Sequence, residues 1–440
     1  MENKSKPMNP RRLFVRKFDV AAGALSLHSL ISPLLAAEME ERKKAFHSLP
    51  LDDSPTHEDF WAWIRNSYDV SATLLNLNNG GVSPQPVPVQ EAHIKFYKLC
   101  NEAPSFYMWR ILDQGRESLR AKLAQLGGCS TEEIAINRNS TEGLNSVIFG
   151  LNLKAGDEVV LSKYDYPNMM NAWKQREKRD GIKLVWVDLP LPSDNDKVLL
   201  AAFERAMTSK TKVVHITQVI NWTGQILPTK AICYAAKSRG CEVIVDGAHS
   251  FAHLDFSIPE LGCDYFATSL HKWLGAPFGS GMLYIKKDKI KNVWALLSND
   301  HPDGEDIRKF ESLGTRSFAS EMAIANAIDF HNLMGTQRKE KRLRYLKDYW
   351  AVPASKMPGV KLNTPLNPAY SGAIANVSVE GWDAVEMESK LQEKFRIHTV
   401  AIKYEKINGI RVTPNVYTSK ADLDRFLEGL QWLSKNKPGK

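Results

Sequence analysis

The sequence predicts an α/β protein, with a large domain built on a mostly parallel sheet between helices and a smaller C-terminal α+β domain. Three observations carry this. From about residue 105 to 290, short β-branched runs alternate with helical stretches, the pattern of strand–helix–strand units. After about residue 320 the alternation stops, and a long charged helical stretch leads into separate strands and helices. The chain of 440 residues, 43% hydrophobic and 25% charged, is long enough for two cores and has the composition of an ordinary globular protein. It has no run of twenty apolar residues able to cross a membrane as a helix.

The elements follow in order. Arg11-Arg12-Leu13-Phe14-Val15-Arg16-Lys17 precedes a weakly apolar run from Val20 to Leu35 and the small pair Ala36-Ala37. A basic head, an apolar middle and a small-residue end are the anatomy of an export signal, and the arginine pair resembles the twin-arginine type. Residues 1–37 are therefore expected to direct export to the periplasm, with no membrane attachment after signal removal. Residues 38–75 read as helical and irregular, rich in charge, with Trp61 and Trp63. Residues 76–320 form the expected large domain. It opens with a loop, Asn76 to Gly81 followed by Pro84, Pro86 and Pro88. Strands are expected at Ile134–Ile136, Glu158–Leu161, Lys183–Val187, Lys212–Thr217, Glu242–Val245, Tyr265–Thr268 and Gly281–Ile285. Helices are expected at Trp109–Leu126, Thr141–Leu151, Asn168–Arg179 and Pro228–Arg239. Residues 321–440 form the small domain: one long helix over about 321–349, strands near Ala373–Val379, Ile397–Ile402 and Gly409–Val412, and helices near 383–395 and 419–435.

Charge and cysteines exclude several classes. Of the net charge of +8, residues 1–37 carry +4 and the rest of the chain the other +4. That balance, with no basic patch interleaved with aromatics, argues against nucleic acid and fits a small anionic ligand. The five cysteines are odd in number and form no CxxC pair, which reads as free, mostly buried thiols. The sequence leaves a Cys233–Cys241 or Cys241–Cys263 pairing open. His249 and His253 stand four apart like a metal pair, but no third ligand is evident and no metal is expected.

The chemistry concentrates in two segments. Val245-Asp246-Gly247-Ala248-His249-Ser250 ends a buried strand in an acid, at the strand end where parallel sheets bind ligands. Thr268-Ser269-Leu270-His271-Lys272-Trp273-Leu274-Gly275 ends another strand with hydroxyl, imidazole and amine together. Pyridoxal chemistry needs this combination. A lysine forms an imine with the cofactor's aldehyde, and a carboxylate pairs with the ring nitrogen so that the ring draws electrons. A desolvated lysine near another cation is partly neutral and so nucleophilic.

On these residues the chain resembles the class V aminotransferase family of fold-type I pyridoxal-phosphate enzymes, and within it the isopenicillin N epimerase-like branch, over about residues 75–435. The resemblance implies pyridoxal 5'-phosphate as cofactor, with Lys272 as the catalytic lysine and Asp246 at the ring nitrogen. It implies phosphate contacts from Ser140 and Thr141, which open a helix, and from Ser269 and His271. It places Tyr166 against the ring, and Asn221 and His249 near the phenolic oxygen. In Gly314-Thr315-Arg316 it makes Thr315 a phosphate contact for the neighbouring subunit, and so implies a homodimer with shared active sites. Arg411, in Gly409-Ile410-Arg411-Val412-Thr413, would grip the substrate carboxylate, and Asn79 and Gly80 would line the substrate side. Gly279-Ser280-Gly281 is a tight turn into a strand and not a phosphate loop.

The substrate is expected to be an amino acid, a small molecule changed at its α-carbon by transamination or epimerisation. A C–S or other β-eliminating lyase is the alternative, since both routes begin with removal of the α-proton by Lys272. A thiol-based cysteine desulfurase is not expected, because no cysteine follows Cys263. An exported binding protein on a dead enzyme scaffold is disfavoured by the intact set of Lys272, Asp246 and Arg411.

Overall fold

The computed structural model describes residues 33–436, so the expected export signal falls almost entirely outside the described residues. Seven strands make the central sheet: β1 (Ile134–Asn137), β2 (Glu158–Ser162), β3 (Lys183–Val187), β4 (Thr211–Thr217), β5 (Glu242–Asp246), β6 (Tyr265–Ser269) and β7 (Gly281–Ile285). Their spatial order is β1-β7-β6-β5-β4-β2-β3. Strands β2 to β6 pair in parallel, and β7 runs antiparallel to both its neighbours.

The sheet is buried on both faces, which is why its strands read as continuous apolar runs. In β5, Val243 and Val245 enter one core and Ile244 the other. In β6, Phe266 faces the first core while Tyr265 and Ala267 face the second. The polar residues therefore collect at the carboxyl ends. Thr217 of β4 lies in register with Asp246 of β5, and Asp246 with Ala267 of β6.

The C-terminal sheet is antiparallel, in the order β10-β11-β9-β8, from β8 (Val360–Leu362), β9 (Ala375–Val379), β10 (Val400–Tyr404) and β11 (Ile407–Val412). Its core joins Val377 and Ile410 to Phe426 and Leu430 of helix Lys420–Lys435 and to Met387 and Leu391 of helix Ala384–Phe395. Helix Thr336–Ala354 serves both cores, giving Leu343 to the large one and Leu346 and Trp350 to the small one. A short segment from the other end of the chain also joins the small core. Leu75–Asn76 pairs in parallel with Ile397–His398, and Leu75 and Leu77 are buried there. This stitch carries residues 78–81 towards both sheets.

Several elements differ from expectation. The expected helix over 321–349 is three: Phe318–Met322, Ile324–Met334 and Thr336–Ala354, the last two parted by Gly335 with φ 79°. The stretch Trp109–Leu126 is α-helical only over Arg116–Gly127, after a π-helical turn at Tyr107–Ile111 and a 3-10 turn at Leu112–Gly115. The proline loop gives way at once to helix Val87–Glu102, in which Pro86 is the cap and Pro88 lies in the first turn. The strand near Ile397–Ile402 is two, Ile397–His398 and β10.

Candidate active site

A cavity of ≈ 460 Å³ opens at the carboxyl ends of β4, β5 and β6. It is lined by Lys272, Asp246, His249, Tyr166, Ser140, Thr141, Asn221, Ser269, His271, Arg411 and Gly80, eleven of the residues expected at the site. These come from segments more than 300 positions apart, so the fold and not a local motif brings them together. Two expected residues are elsewhere. Asn79 is buried away from the cavity, its amide donating to the Thr413 carbonyl at 2.8 Å and accepting from the Tyr417 hydroxyl at 2.6 Å. Thr315 is exposed and does not line the cavity of its own chain.

Each functional group has a structural reason for its place. Lys272 follows β6 in a turn that the next strand holds: Leu270 N–H donates to the Ser280 carbonyl at 3.0 Å, and His271 Nδ1 to the same carbonyl at 3.0 Å. The Gly279-Ser280-Gly281 turn thus positions His271 beside the lysine. The Lys272 amine lies 3.2 Å from His249 Nε2. Burial lowers its pKa to about 8, Arg411 adds to the shift and Asp246 opposes it. Burial, helped by Lys272 and Arg411, pushes His249 well below its ordinary value, so the ring is neutral; the ammonium form of Lys272, which can only donate, bonds to its Nε2. Gly80 keeps the back of this pair close: a Cβ there would stand 3.0 Å from Thr413 Cγ2 and 3.5 Å from His249 Cε1.

Asp246 is buried, with one oxygen accepting from the Ala248 amide at 2.9 Å. Burial raises its pKa, while that hydrogen bond and Lys272 act the other way. An ionised carboxylate here therefore calls for a cationic partner. A second buried acid, Asp165, accepts from Thr217 Oγ1 at 2.7 Å and from the Ser162 amide at 2.8 Å. Burial first, then its bonds and Asp246, set its pKa at about 7. At the other end of the cavity, helix Ser140–Gly150 begins with Asn139 as cap, accepting from Glu142 N–H at 2.9 Å. Ser269 Oγ lies 3.0 Å from both the amide and the hydroxyl of Ser140. Hydroxyls at a helix N-terminus form a ready anion site. Arg411 reaches the cavity from β11, buried, with its pKa lowered to about 10 mainly by that burial.

Among the lining residues, Asn221 Oδ1, His249 Nδ1 and Arg411 Nε are buried without a partner. Leaving such groups unpaired costs about 1–3 kcal/mol each, and a polar ligand that paired with them would recover it. The donor set fits pyridoxal 5'-phosphate. Lys272 would meet the aldehyde and Asp246 the ring nitrogen, Tyr166 would offer an aromatic face, and Ser140, Thr141, Ser269 and His271 would hold the phosphate.

Asn168, Thr217 and Gly81 also line the cavity without having been singled out. Asn168 stands two residues after the expected Tyr166, and Thr217 ends an expected strand, so a signal existed for both. His253 has no lone pair to give a metal. Its Nδ1 donates to the His249 carbonyl at 2.6 Å, its Nε2 accepts from Ala373 N–H at 2.8 Å, and its ring stacks on Trp273 at 4.1 Å. All five cysteines are free.

The aminotransferase class-V family model matches residues 75–426. Isopenicillin N epimerase of Streptomyces clavuligerus is 31% identical over 399 residues, covering 85% of this chain and 98% of the epimerase. A probable cysteine desulfurase of Halalkalibacterium halodurans is 31% identical over 383 residues, covering 81% of this chain and 92% of the desulfurase. Among solved structures, a variant of C-DES with glycine covalently linked to its PLP cofactor shares the fold at a TM-score of 0.75 and 22% identity, over 83% of this chain and 98% of that one.

Proposed function

This chain belongs to the aminotransferase class-V family, with pyridoxal 5'-phosphate as its cofactor, and from that premise we propose that it changes an amino acid at the α-carbon by transamination or epimerisation. The observation that carries the reading is the meeting, in one cavity, of the Lys272 amine, with its pKa lowered to about 8, and the buried guanidinium of Arg411. When bound, the cofactor supplies an aldehyde for the substrate amine and a ring that draws electrons from the α-carbon. Arg411 grips the substrate carboxylate and so fixes the α-carbon against the lysine. Lys272 takes the α-proton and returns it, a role suited to an amine that titrates close to neutrality. Neutral His249, 3.2 Å away, accepts a hydrogen bond from that amine and orients it. Asp246 keeps the ring nitrogen charged.

A second reading, β-elimination with C–S cleavage, has support in the equal 31% identity to a probable cysteine desulfurase. Both routes use the same first proton transfer. A desulfurase working through its own thiol has no support here, since none of the five cysteines lines the cavity.

The test is a screen of L- and D-amino acids in D2O, with and without a keto acid. Amine exchange that depends on the keto acid, or α-deuterium incorporation with inversion, supports the reading. Release of ammonia and pyruvate replaces it with the lyase. No reaction with any amino acid points to a scaffold without catalysis.

We infer also that the chain works as a homodimer and is exported. Thr315 stands exposed off its own cavity, and Val82, Tyr166 and Phe278 are exposed apolar residues. A mass of one chain in light scattering of the holoenzyme contradicts the dimer. Cell fractionation of an Arg11→Lys, Arg12→Lys double variant checks export, which should be lost.

A further inference from the structure

Arg411 arrives at the cavity already held. Its Nη1 donates to the Asn221 carbonyl at 3.1 Å and its Nη2 to Asn78 Oδ1 at 2.9 Å. Both partners are neutral, so the charge stays available to a ligand. Asn78 does not line the cavity, yet it touches the guanidinium that does. Its backbone is fixed, with the N–H donating to Asn76 Oδ1 at 3.0 Å and a bridge to Thr413. The other end of its carboxamide meets His398 Nε2 at 3.3 Å. His398 is held in turn, because its carbonyl accepts from Leu77 N–H at 2.9 Å.

A carboxamide has an acceptor at one end and donors at the other. Turned by half a rotation, Asn78 would set its NH2 group against the guanidinium, donor against donor. The lone pair of His398 Nε2 accepts from the NH2 group and so selects the orientation that offers oxygen to Arg411. We propose that Asn78 and His398 are a positioning pair that aims Arg411, and thereby sets how strongly the site prefers a ligand with an α-carboxylate. This rests on reading Arg411 as the carboxylate anchor.

The experiment titrates the visible spectrum of the holoenzyme with glycine and with glycinamide, which share the amine and differ only in the carboxylate. The ratio of the two apparent Kd values measures the carboxylate preference. Arg411→Ala should bring that preference close to one. His398→Phe keeps a ring but no lone pair, and should lower the preference about fivefold, the size of one net hydrogen bond. The glycinamide affinity and the cofactor band should stay as in the wild type, which a loss of fold would not allow. His398→Gln, with a side-chain oxygen to accept, should restore most of the preference. Asn78→Asp places a carboxylate on the guanidinium and should lower the preference further. That variant also keeps the test alive if His398→Phe does not fold. If Arg411→Ala abolishes the preference while His398→Phe and Asn78→Asp leave it intact, the pair has no positioning role although Arg411 remains the anchor. If Arg411→Ala itself leaves the preference unchanged, the anchor assignment fails and the pair's role falls with it.

Discussion

Lys272 and Asp246 show how one buried site can hold two opposite charges and keep both useful. Burial pushes the amine down to about 8 and the acid up, and each partly restores the other. The amine therefore loses its proton at a pH where an exposed lysine, at about 10.4, keeps it. Attachment of pyridoxal phosphate to cofactor-free protein needs that neutral amine. Its rate, followed by absorbance, should climb from pH 6.5 and level off beyond about pH 8; a flat profile would mean that Lys272 is not the attacking group. Asp246→Ala should weaken cofactor affinity at least tenfold, about 1.4 kcal/mol, because the ring nitrogen loses its charge partner. Equilibrium dialysis checks this, and full affinity would move the ring-nitrogen contact to another residue. Both residues were legible in the sequence because each stands at a strand end inside a local motif. Asp165, Thr217 and Asn78 were not singled out as site residues, since what gives each its place is cross-strand register or a partner hundreds of residues away. Asn79 was misplaced by one position: it turns into the fold towards Tyr417, and its neighbour Asn78 reaches Arg411.

At the scale of elements, the strand ends decide the site, and the turn after β5 is the tightest of them. Gly247 lets the chain leave Asp246 against the face of Phe266, where a Cβ would lie 1.9 Å from Cζ and 2.2 Å from Cε2 of that ring. Gly247→Ala must move either the β6 ring or the backbone that carries Asp246. Overpacking of this kind costs about 1–3 kcal/mol. The variant should lose that much stability in urea unfolding and hold less cofactor; wild-type stability with full occupancy would show that the turn yields freely. The seven strands of the large sheet were readable to within about a residue because a sheet buried on both faces leaves long β-branched runs. The helix Val87–Glu102 was hidden by its prolines, whose missing N–H groups cost nothing at a helix start. The stretch over 321–349 was read as one helix because no proline interrupts it; Gly335 marks the second break, and the first, at Ala323, carries no helix-breaking residue.

For the whole molecule, burial of titratable groups sets the response to acid. His215, His249, His253 and His331 are buried and neutral; burial takes His215 and His253 to about 3 and the other two well below the ordinary value. Unfolding returns them to about 6.5. Below that pH the unfolded chain binds protons that the folded chain refuses, and stability falls as pH falls. Asp165 and Asp246 act oppositely, since raised carboxyls bind protons first in the folded state. Burial also lowers His93 and His271 and raises Glu321, so six histidines against three carboxyls leave a net loss on acidification. Cofactor-free protein should lose about 1–3 kcal/mol between pH 6.5 and 5, at roughly 1.4 kcal/mol per pH unit for each net proton. Urea unfolding at the two pH values checks this, and equal or greater stability at pH 5 would contradict it. His253 joins this acid response to the architecture, because its Nδ1 holds the loop after β5 together and its Nε2 ties that loop to Ala373, just ahead of β9.

The most direct test is to record the visible spectrum of the purified protein, add borohydride and map the peptides. A yellow band bleached by reduction, with the reduced cofactor fixed on the peptide containing Lys272 and absent in Lys272→Ala, is the predicted result. A protein that stays colourless after incubation with pyridoxal phosphate, or one that carries the cofactor on another lysine, would contradict the assignment of Lys272.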